Sequence, residues 1–139
     1  MPALSAYNLF ISHSWSYSDA YKNLEKLLKQ ASYFEYHDYS VPKDDPIHTS
    51  SDEILRNAIH EKFKHCNCIL VLAGVYASYS RWIDIEMSIA KHGFLYPKPI
   101  IAIEPWGAER TSAVVKNNAK VVVAWNTNSI VKDIREYSL

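Results

Sequence analysis

The amino-acid sequence predicts an α/β fold, in which residues 1–139 form one domain with a mainly parallel sheet between helices. Strand-like and helix-like patterns alternate along the chain, as is typical of a layered α/β architecture. Residues 68–73 are a continuous apolar run, which suits a central strand covered on both faces. With 139 residues, 48% of them hydrophobic, the chain is long enough for one core and too short for two ordinary domains.

Five strands and five helices alternate in this prediction. The strands are residues 7–12, 33–39, 68–73, 99–103 and 121–125. The helices are residues 18–31, 50–64, 81–92, 111–116 and 128–137. Five strand–helix units in one small domain suit a flavodoxin-like three-layer sandwich with the strand order 2-1-3-4-5 and helices on both faces.

Each element has a local signal. The first helix carries an apolar face at helical spacing, made of Tyr21, Leu24, Leu27 and Leu28. The second strand is more polar than the others, which favours an edge position. A turn-rich segment, residues 40–49, precedes the second helix, which starts with the capping pair Ser50 and Glu53. The third strand ends at Gly74, and the third helix is amphipathic.

Charge and hydropathy exclude several functional classes. Lys and Arg total 15 and Asp and Glu total 15, so no net charge favours nucleic acid or an anionic membrane surface. The longest apolar run, residues 69–75, is far short of a membrane span. The first residues lack the basic and apolar regions of a signal peptide. We therefore expect a cytoplasmic protein that binds neither nucleic acid nor membrane.

Two cysteines, Cys66 and Cys68, stand beside His65 at the start of the third strand. No second pair of ligands has a zinc-like spacing, so we expect buried or half-buried thiols and no metal site.

Glu86 is the most informative residue of the chain. Successive residues of a helix are about 100° apart. In the helix of residues 81–92 this spacing gives one apolar arc, which is flanked by Trp82, Ile85, Ile89, Ala90 and Gly93. Glu86 falls inside this arc, whereas Asp84, Ser88 and Lys91 share the opposite one. An ionised carboxylate there is costly to desolvate unless another group compensates it. Glu86 is thus a candidate functional residue, or the half-buried ion-pair partner of Arg81 or Lys91.

The predicted strand order places a ligand crevice at the carboxyl ends of strands 1 and 3. Residues 74–81 follow strand 3, and the residues that follow strand 1 include Ser12, His13, Ser14 and Trp15. Aromatic rings suited to a nucleobase or nicotinamide are supplied by Phe10, Trp15, Tyr76, Tyr79 and Trp82. Free N–H groups at the start of the first helix suit a phosphate. A dinucleotide fits this set of groups, and one carboxylate beside a ribose could stabilise the oxocarbenium-like transition state of N-glycosidic cleavage.

Simpler roles remain open for these residues. Trp82 also fits a core position, and His13 fits a hydrogen-bonded loop residue, because no partner acid is identifiable. The serines after the first strand also fit loop and helix-cap positions.

Two motifs carry a resemblance to a known family. Residues 10–14, Phe-Ile-Ser-His-Ser, resemble the first box of TIR domains, and Trp82 and Glu86 have the spacing of the tryptophan and glutamate in the third TIR helix. Residues 98–101 and 104–107 look like the TIR-like (ThsB-type) proteins of bacterial Thoeris anti-phage systems. The resemblance spans essentially the whole chain.

The resemblance implies an NAD-consuming enzyme in which Glu86 is catalytic and nicotinamide is released. NAD is then the substrate, and no further cofactor is implied. In Thoeris-type proteins the product is a cyclic ADP-ribose variant that acts as a second messenger for a separate effector protein. The resemblance also implies self-association, with residues 40–45 as a candidate assembly segment.

The sequence departs from the TIR pattern at two positions, and several other functions remain open. Ile83 replaces the usual cysteine after the tryptophan, and Pro42-Lys43 replaces the family's Pro-Gly pair. The rivals are a non-enzymatic TIR interaction module, a nucleoside deoxyribosyltransferase-like enzyme and an FMN carrier. A phospho-receiver is excluded, because Ser12-His13-Ser14 stands where its acidic cluster should follow strand 1.

Overall fold

The structure is a computed structural model that describes residues 6–11, 20–32, 34–39, 52–72, 81–104 and 117–138. Its strands are β1 (Tyr7–Ile11), β2 (Tyr36–Asp38), β3 (Cys68–Leu72), β4 (Ile100–Glu104) and β5 (Val121–Ala124). Its helices are α1 (Ala20–Lys29), α2 (Asp52–Phe63), α3 (Arg81–His92) and α4 (Thr127–Tyr137). None of the helices in these described ranges is long and apolar enough to cross a bilayer.

The five strands form one parallel sheet in the order β2-β1-β3-β4-β5. β1 is therefore paired with β3 on one side and with the edge strand β2 on the other. The predicted flavodoxin-like strand order is confirmed, and so is the edge position of the second strand. Because all strands are parallel, each connecting helix returns the chain from the carboxyl edge of the sheet to its amino edge.

Alternate residues of the strands enter two separate cores, one on each face of the sheet. The α2–α3 face contains Phe10, Leu55, Ile59, Phe63, Ile69, Val71, Ile85, Ile89, Ala90, Ile100 and Ala102. The α1–α4 face contains Leu9, Ile11, Leu24, Leu28, Cys68, Leu70, Ile101, Ile103, Ile130, Val131 and Ile134. This arrangement explains the continuous apolar run of β3. Successive side chains point into opposite cores, and both cores are apolar.

The helix and strand ends differ from the predicted ones by a few residues. The second strand was predicted over residues 33–39, but only Tyr36–Asp38 pairs with β1. Phe34 lies before this pairing and is buried against the Tyr7 ring, with the two centroids 5.5 Å apart. Phe34 is therefore held by aromatic packing and not by strand pairing. The predicted helix over residues 111–116 and the capping residue Ser50 lie outside the described residues.

Candidate active site

Glu86 lies on the buried face of α3. The buried side chains described on this helix are Ile85, Glu86, Met87, Ile89 and Ala90. Glu86 is 0% exposed. Among the side chains whose burial the structure describes, no other charged one is buried. Lys91 and His92 are exposed on the same helix. The predicted position of the carboxylate inside the apolar arc is therefore confirmed.

This position is energetically expensive. An ionised carboxylate that is removed from water loses several kcal/mol of hydration, which hydrogen bonds or an opposite charge must compensate. Lys91 does not serve this purpose, because it lies on the exposed arc and its Nζ donates a hydrogen bond to Asn118 Oδ1 at 3.4 Å. The interpretation of Glu86 as the partner of Lys91 is therefore wrong.

The fold places Glu86 close to the middle of α3, slightly nearer to its amino-terminal end. α3 follows β3 and runs toward the amino edge, where Ala90 O accepts a hydrogen bond from the backbone N–H of Lys98 at 2.8 Å. Glu86 is the sixth residue of α3, about 7.5 Å along the axis from Arg81 at about 1.5 Å per residue. It therefore lies in the half of α3 that is nearer to the carboxyl edge of β3. β1 and β3 are neighbours at that edge, so this is the switch point at which α/β proteins bind ligands.

The other predicted site residues have different outcomes. Phe10 is fully buried on the α2–α3 face, and its ring packs edge-on against Phe63 with 4.7 Å between the centroids. Trp82 lies in the first turn of α3, four residues before Glu86. The remaining candidates lie outside the described residues, and their roles stay predictions: Ser12, His13, Ser14, Trp15 and Tyr76. Contact of Phe10 or Trp82 with a ligand likewise stays a prediction.

Contacts between α2 and the end of α3 hold the helix in place. His60 Nε2 donates a hydrogen bond to Gly93 O at 3.0 Å, and the His60 ring stacks on Phe94 with 4.4 Å between centroids. A Cβ added at Gly93 would lie 2.6 Å from Ile89 O and 3.3 Å from the His60 ring, so a side chain there would clash with the last turn of α3 and press on His60. Nearer the middle of α3, Arg56 Nη1 donates to Ser88 Oγ at 3.4 Å.

These contacts attach α2 to the carboxyl-terminal half of α3 and to the loop that follows it. Sequence reasoning missed them, because His60 and Gly93 are 33 residues apart and no local pattern connects them. A histidine on the second helix and a glycine after the third are each unremarkable alone. Only the packing of α2 against α3 brings them together.

Both cysteines are buried free thiols, as predicted. Cys66 precedes β3 and enters the α2–α3 core, whereas Cys68 enters the opposite core. Burial raises the pKa of the Cys66 thiol to about 12, opposed in part by Lys98, and burial also raises the pKa of the Cys68 thiol. Within the described ranges, no three metal-ligating side chains come together.

We expect both thiols to be inert in the native protein. At pH 8, a thiol-reactive dye should label the folded chain only slowly, over hours or longer. It should label the urea-unfolded chain within minutes, because only the thiolate reacts. The introduced thiol of Asn128→Cys, at an exposed position, should react at once and serves as the control. Rapid labelling of the folded wild type would contradict the burial.

The same pKa shifts predict a pH dependence of stability. The thiols of the unfolded chain ionise near their ordinary pKa of 9.0, whereas those of the folded chain stay protonated to about pH 12 or above. Above pH 9 the unfolded state thus binds fewer protons, and the free energy of unfolding falls as the pH rises. The contribution of the thiols is fully present below pH 9.

A cavity of about 480 Å³ lies on the other face of the sheet, between the end of α1 and the start of α4. Its lining residues are Leu27, Gln30, Trp125, Asn126, Thr127 and Asn128. None of these side chains ionises, so this cavity supplies no acid, base or carboxylate. The buried carboxylate, Glu86, lies on α3, which packs on the opposite face of the sheet.

Comparison with known proteins agrees with this geometry. The family model described as "Thoeris protein ThsB, TIR-like domain" matches residues 10–110. The matched span covers most of the chain, runs from β1 through β4, and includes α3 with Glu86. No curated protein matches the sequence.

Proposed function

The chain belongs to the TIR-like domain family of the Thoeris protein ThsB, and from this premise we propose that it is an enzyme that cleaves NAD between nicotinamide and ribose. Membership of the family makes it a TIR-type defence protein. The proposal adds an activity, a substrate and a catalytic residue, Glu86.

The burial of Glu86 is the observation that carries the proposal. A carboxylate buried in an apolar environment, on the helix that follows the central strand β3, is costly to maintain, and such costs concentrate at functional sites. A protein used only for surface contacts gains nothing from it. Glu86 also lies within the span matched by the family.

The proposed reaction needs little more than one negative charge. The bond between the anomeric ribose carbon and the nicotinamide nitrogen breaks, and both electrons of that bond leave with nicotinamide, which becomes neutral. Positive charge then develops on the ribose carbon and ring oxygen, and the Glu86 carboxylate stabilises it. The attraction between the carboxylate and the ribose cation is stronger in a poorly hydrated site, because little water is present to screen it.

The same burial supports a cyclic product. After nicotinamide leaves, the ribose carbon reacts either with water or with a nucleophile of the same ADP-ribose molecule, and in both cases one proton is released. A site that excludes water favours the internal nucleophile. We propose that the cyclic ADP-ribose variant diffuses in the cytoplasm as a second messenger to a separate effector protein.

The proposed reaction requires the structure around Glu86 to open before NAD can bind. Glu86 has no exposed surface, so NAD can reach it only after the chain opens around it. Self-association or a trigger from infection would supply that opening, and activity should therefore rise with protein concentration.

Mass spectrometry of an incubation with NAD tests the activity. At high protein concentration we expect free nicotinamide and a second product lighter than ADP-ribose by one water molecule. A parallel incubation with deoxynucleosides and free bases should show no exchange, which excludes the deoxyribosyltransferase-like rival. Consumption of deoxynucleosides with NAD left intact would contradict the proposal.

A further inference from the structure

The amino edge of the sheet collects three chain segments: residues 60–67, 89–100 and 117–121. Lys98 Nζ donates to Cys66 O at 2.9 Å, which joins the first segment to the second. The backbone N–H of Lys120 donates to Ile100 O at 2.7 Å, and Lys91 Nζ donates to Asn118 Oδ1 at 3.4 Å. These contacts join the second segment to the third. The three segments together form what we call the amino-edge patch.

The amino-edge patch is strongly cationic. Its five basic side chains are Lys62, Lys64, Lys91, Lys98 and Lys120. Its one carboxylate, Glu61, is bonded to Lys64 at 3.2 Å. The chain as a whole has a net charge of zero, so the positive charge here is balanced by negative charge elsewhere on the molecule.

Helix ends explain only part of this charge. Lys62 and Lys91 lie in the last turns of α2 and α3, where a cation favourably meets the helix dipole. Lys98 has a structural role as well, because its Nζ donates to Cys66 O and lies over the Phe94 ring. Lys120 precedes β5, where no helix dipole calls for a cation, so its place beside the other four lysines needs another explanation.

Two large apolar side chains stand out from the amino-edge patch. Leu95 is 88% exposed and Tyr96 is 71% exposed, in the loop between α3 and β4. The preceding residue, Phe94, is held between the His60 ring and the Lys98 ammonium, whose nitrogen lies 4.9 Å from the Phe94 centroid. The loop is therefore anchored at its base while its apolar tip faces solvent.

We propose that the amino-edge patch docks the protein on an anionic phospholipid bilayer. Lysines near a negatively charged membrane each add to binding, and a leucine with a tyrosine can enter the boundary between headgroups and acyl chains. Tyrosine suits that boundary, because its ring is apolar and its hydroxyl stays hydrated.

The composition of the amino-edge patch favours a bilayer over an acidic protein. All five basic residues are lysines, whereas protein interfaces are enriched in arginine and depleted in lysine. The exposed apolar surface is limited to a loop tip, whereas a specific protein interface needs about 800 Å² on each partner, with an apolar centre. Docking through this edge leaves the carboxyl edge of the sheet, where α3 begins, turned away from the membrane.

Sedimentation of the purified full chain with phospholipid vesicles tests this inference. The probes are vesicles of phosphatidylglycerol mixed with phosphatidylcholine, and vesicles of phosphatidylcholine alone. We expect binding to the anionic vesicles at low salt, at least tenfold weaker binding to neutral vesicles, and a steep loss of binding as salt rises.

Charge-reversal variants assign the binding to the amino-edge patch. Lys91→Glu combined with Lys120→Glu should weaken partitioning by more than tenfold. The matched control, Lys22→Glu combined with Lys132→Glu, changes two exposed lysines elsewhere by the same charge and should keep most of the binding. Leu95→Ser combined with Tyr96→Ser leaves the charge unchanged and should weaken binding severalfold. Circular dichroism melting of each variant confirms that it is folded.

Three outcomes would overturn the inference. The first is partitioning that does not depend on the lipid charge, and the second is an equal loss of binding in both double charge variants. The third is salt-sensitive self-association without lipid, measured by sedimentation velocity and lost only in Lys91→Glu/Lys120→Glu. That result would assign the amino-edge patch to a second copy of the chain.

Discussion

Replacement of Glu86 by glutamine should lower nicotinamide release from NAD by about a hundredfold to a thousandfold while the protein stays folded. Glutamine keeps the volume and shape of the side chain but removes the negative charge that stabilises the developing ribose cation. Removing one preorganised electrostatic group of this kind typically costs about two to three orders of magnitude in rate. Quantifying nicotinamide by liquid chromatography measures the effect.

The melting temperature of the same variant separates the catalytic interpretation of the carboxylate from the structural one. Glu86 is fully buried, and burying an amide costs less than burying a carboxylate. A melting temperature equal to or above that of the wild type would show that the carboxylate is kept for activity and not for stability. A structural ion pair predicts the opposite, because glutamine would leave a charged partner uncompensated.

Glu53→Gln is the matched control, because Glu53 is an exposed carboxylate on α2. It should alter neither nicotinamide release nor melting. Unchanged turnover in Glu86→Gln would rule out the proposed mechanism. Strong destabilisation of Glu86→Gln would support the structural interpretation of the carboxylate.

Replacement of Phe10 by alanine should lower the free energy of unfolding by about 3–5 kcal/mol. The Phe10 ring is fully buried on the α2–α3 face, and its edge contact with Phe63 would be replaced by a cavity. Urea unfolding measures the change, with the midpoint shifted and the slope retained. A loss below about 1 kcal/mol would show that the ring contributes little to the core.

Phe10→Leu separates packing from a role in binding. Leucine fills much of the cavity and should restore most of the stability. If Phe10 acts only in the core, the KM for NAD stays near the wild-type value in this variant. A raised KM in a stable Phe10→Leu protein would support the sequence-based prediction that the ring contacts the ligand.

The sequence was sufficient for the architecture because the architecture depends on local periodicity. A run of apolar residues at β3 and alternating strand and helix patterns define the layers, and right-handed crossovers leave few strand orders. The placement of Glu86 inside the apolar arc of α3 follows from the same periodicity. The ends of the second strand were less predictable, because Phe34 is apolar for aromatic packing and not for pairing.

The candidate site was predicted only in part. The family resemblance, confirmed by the match over residues 10–110, singled out Glu86 and Trp82. The anchors of α3 were missed, because the bond from His60 to Gly93 joins residues far apart in the chain. The two cysteines gave no indication that they enter opposite cores, because Cys66 lies just before the strand that contains Cys68.

The sequence by itself determined the fold class, the strand order and the helical face that carries Glu86, since each of these depends on the spacing of neighbouring residues. Only the tertiary structure decided how deeply Glu86 is buried and where the charges gather. A net charge of zero argued against any anionic surface, yet parallel strands with returning helices bring five lysines to one edge. Composition records the sum of the charges, whereas an electrostatic surface depends on their positions, which chain topology fixes.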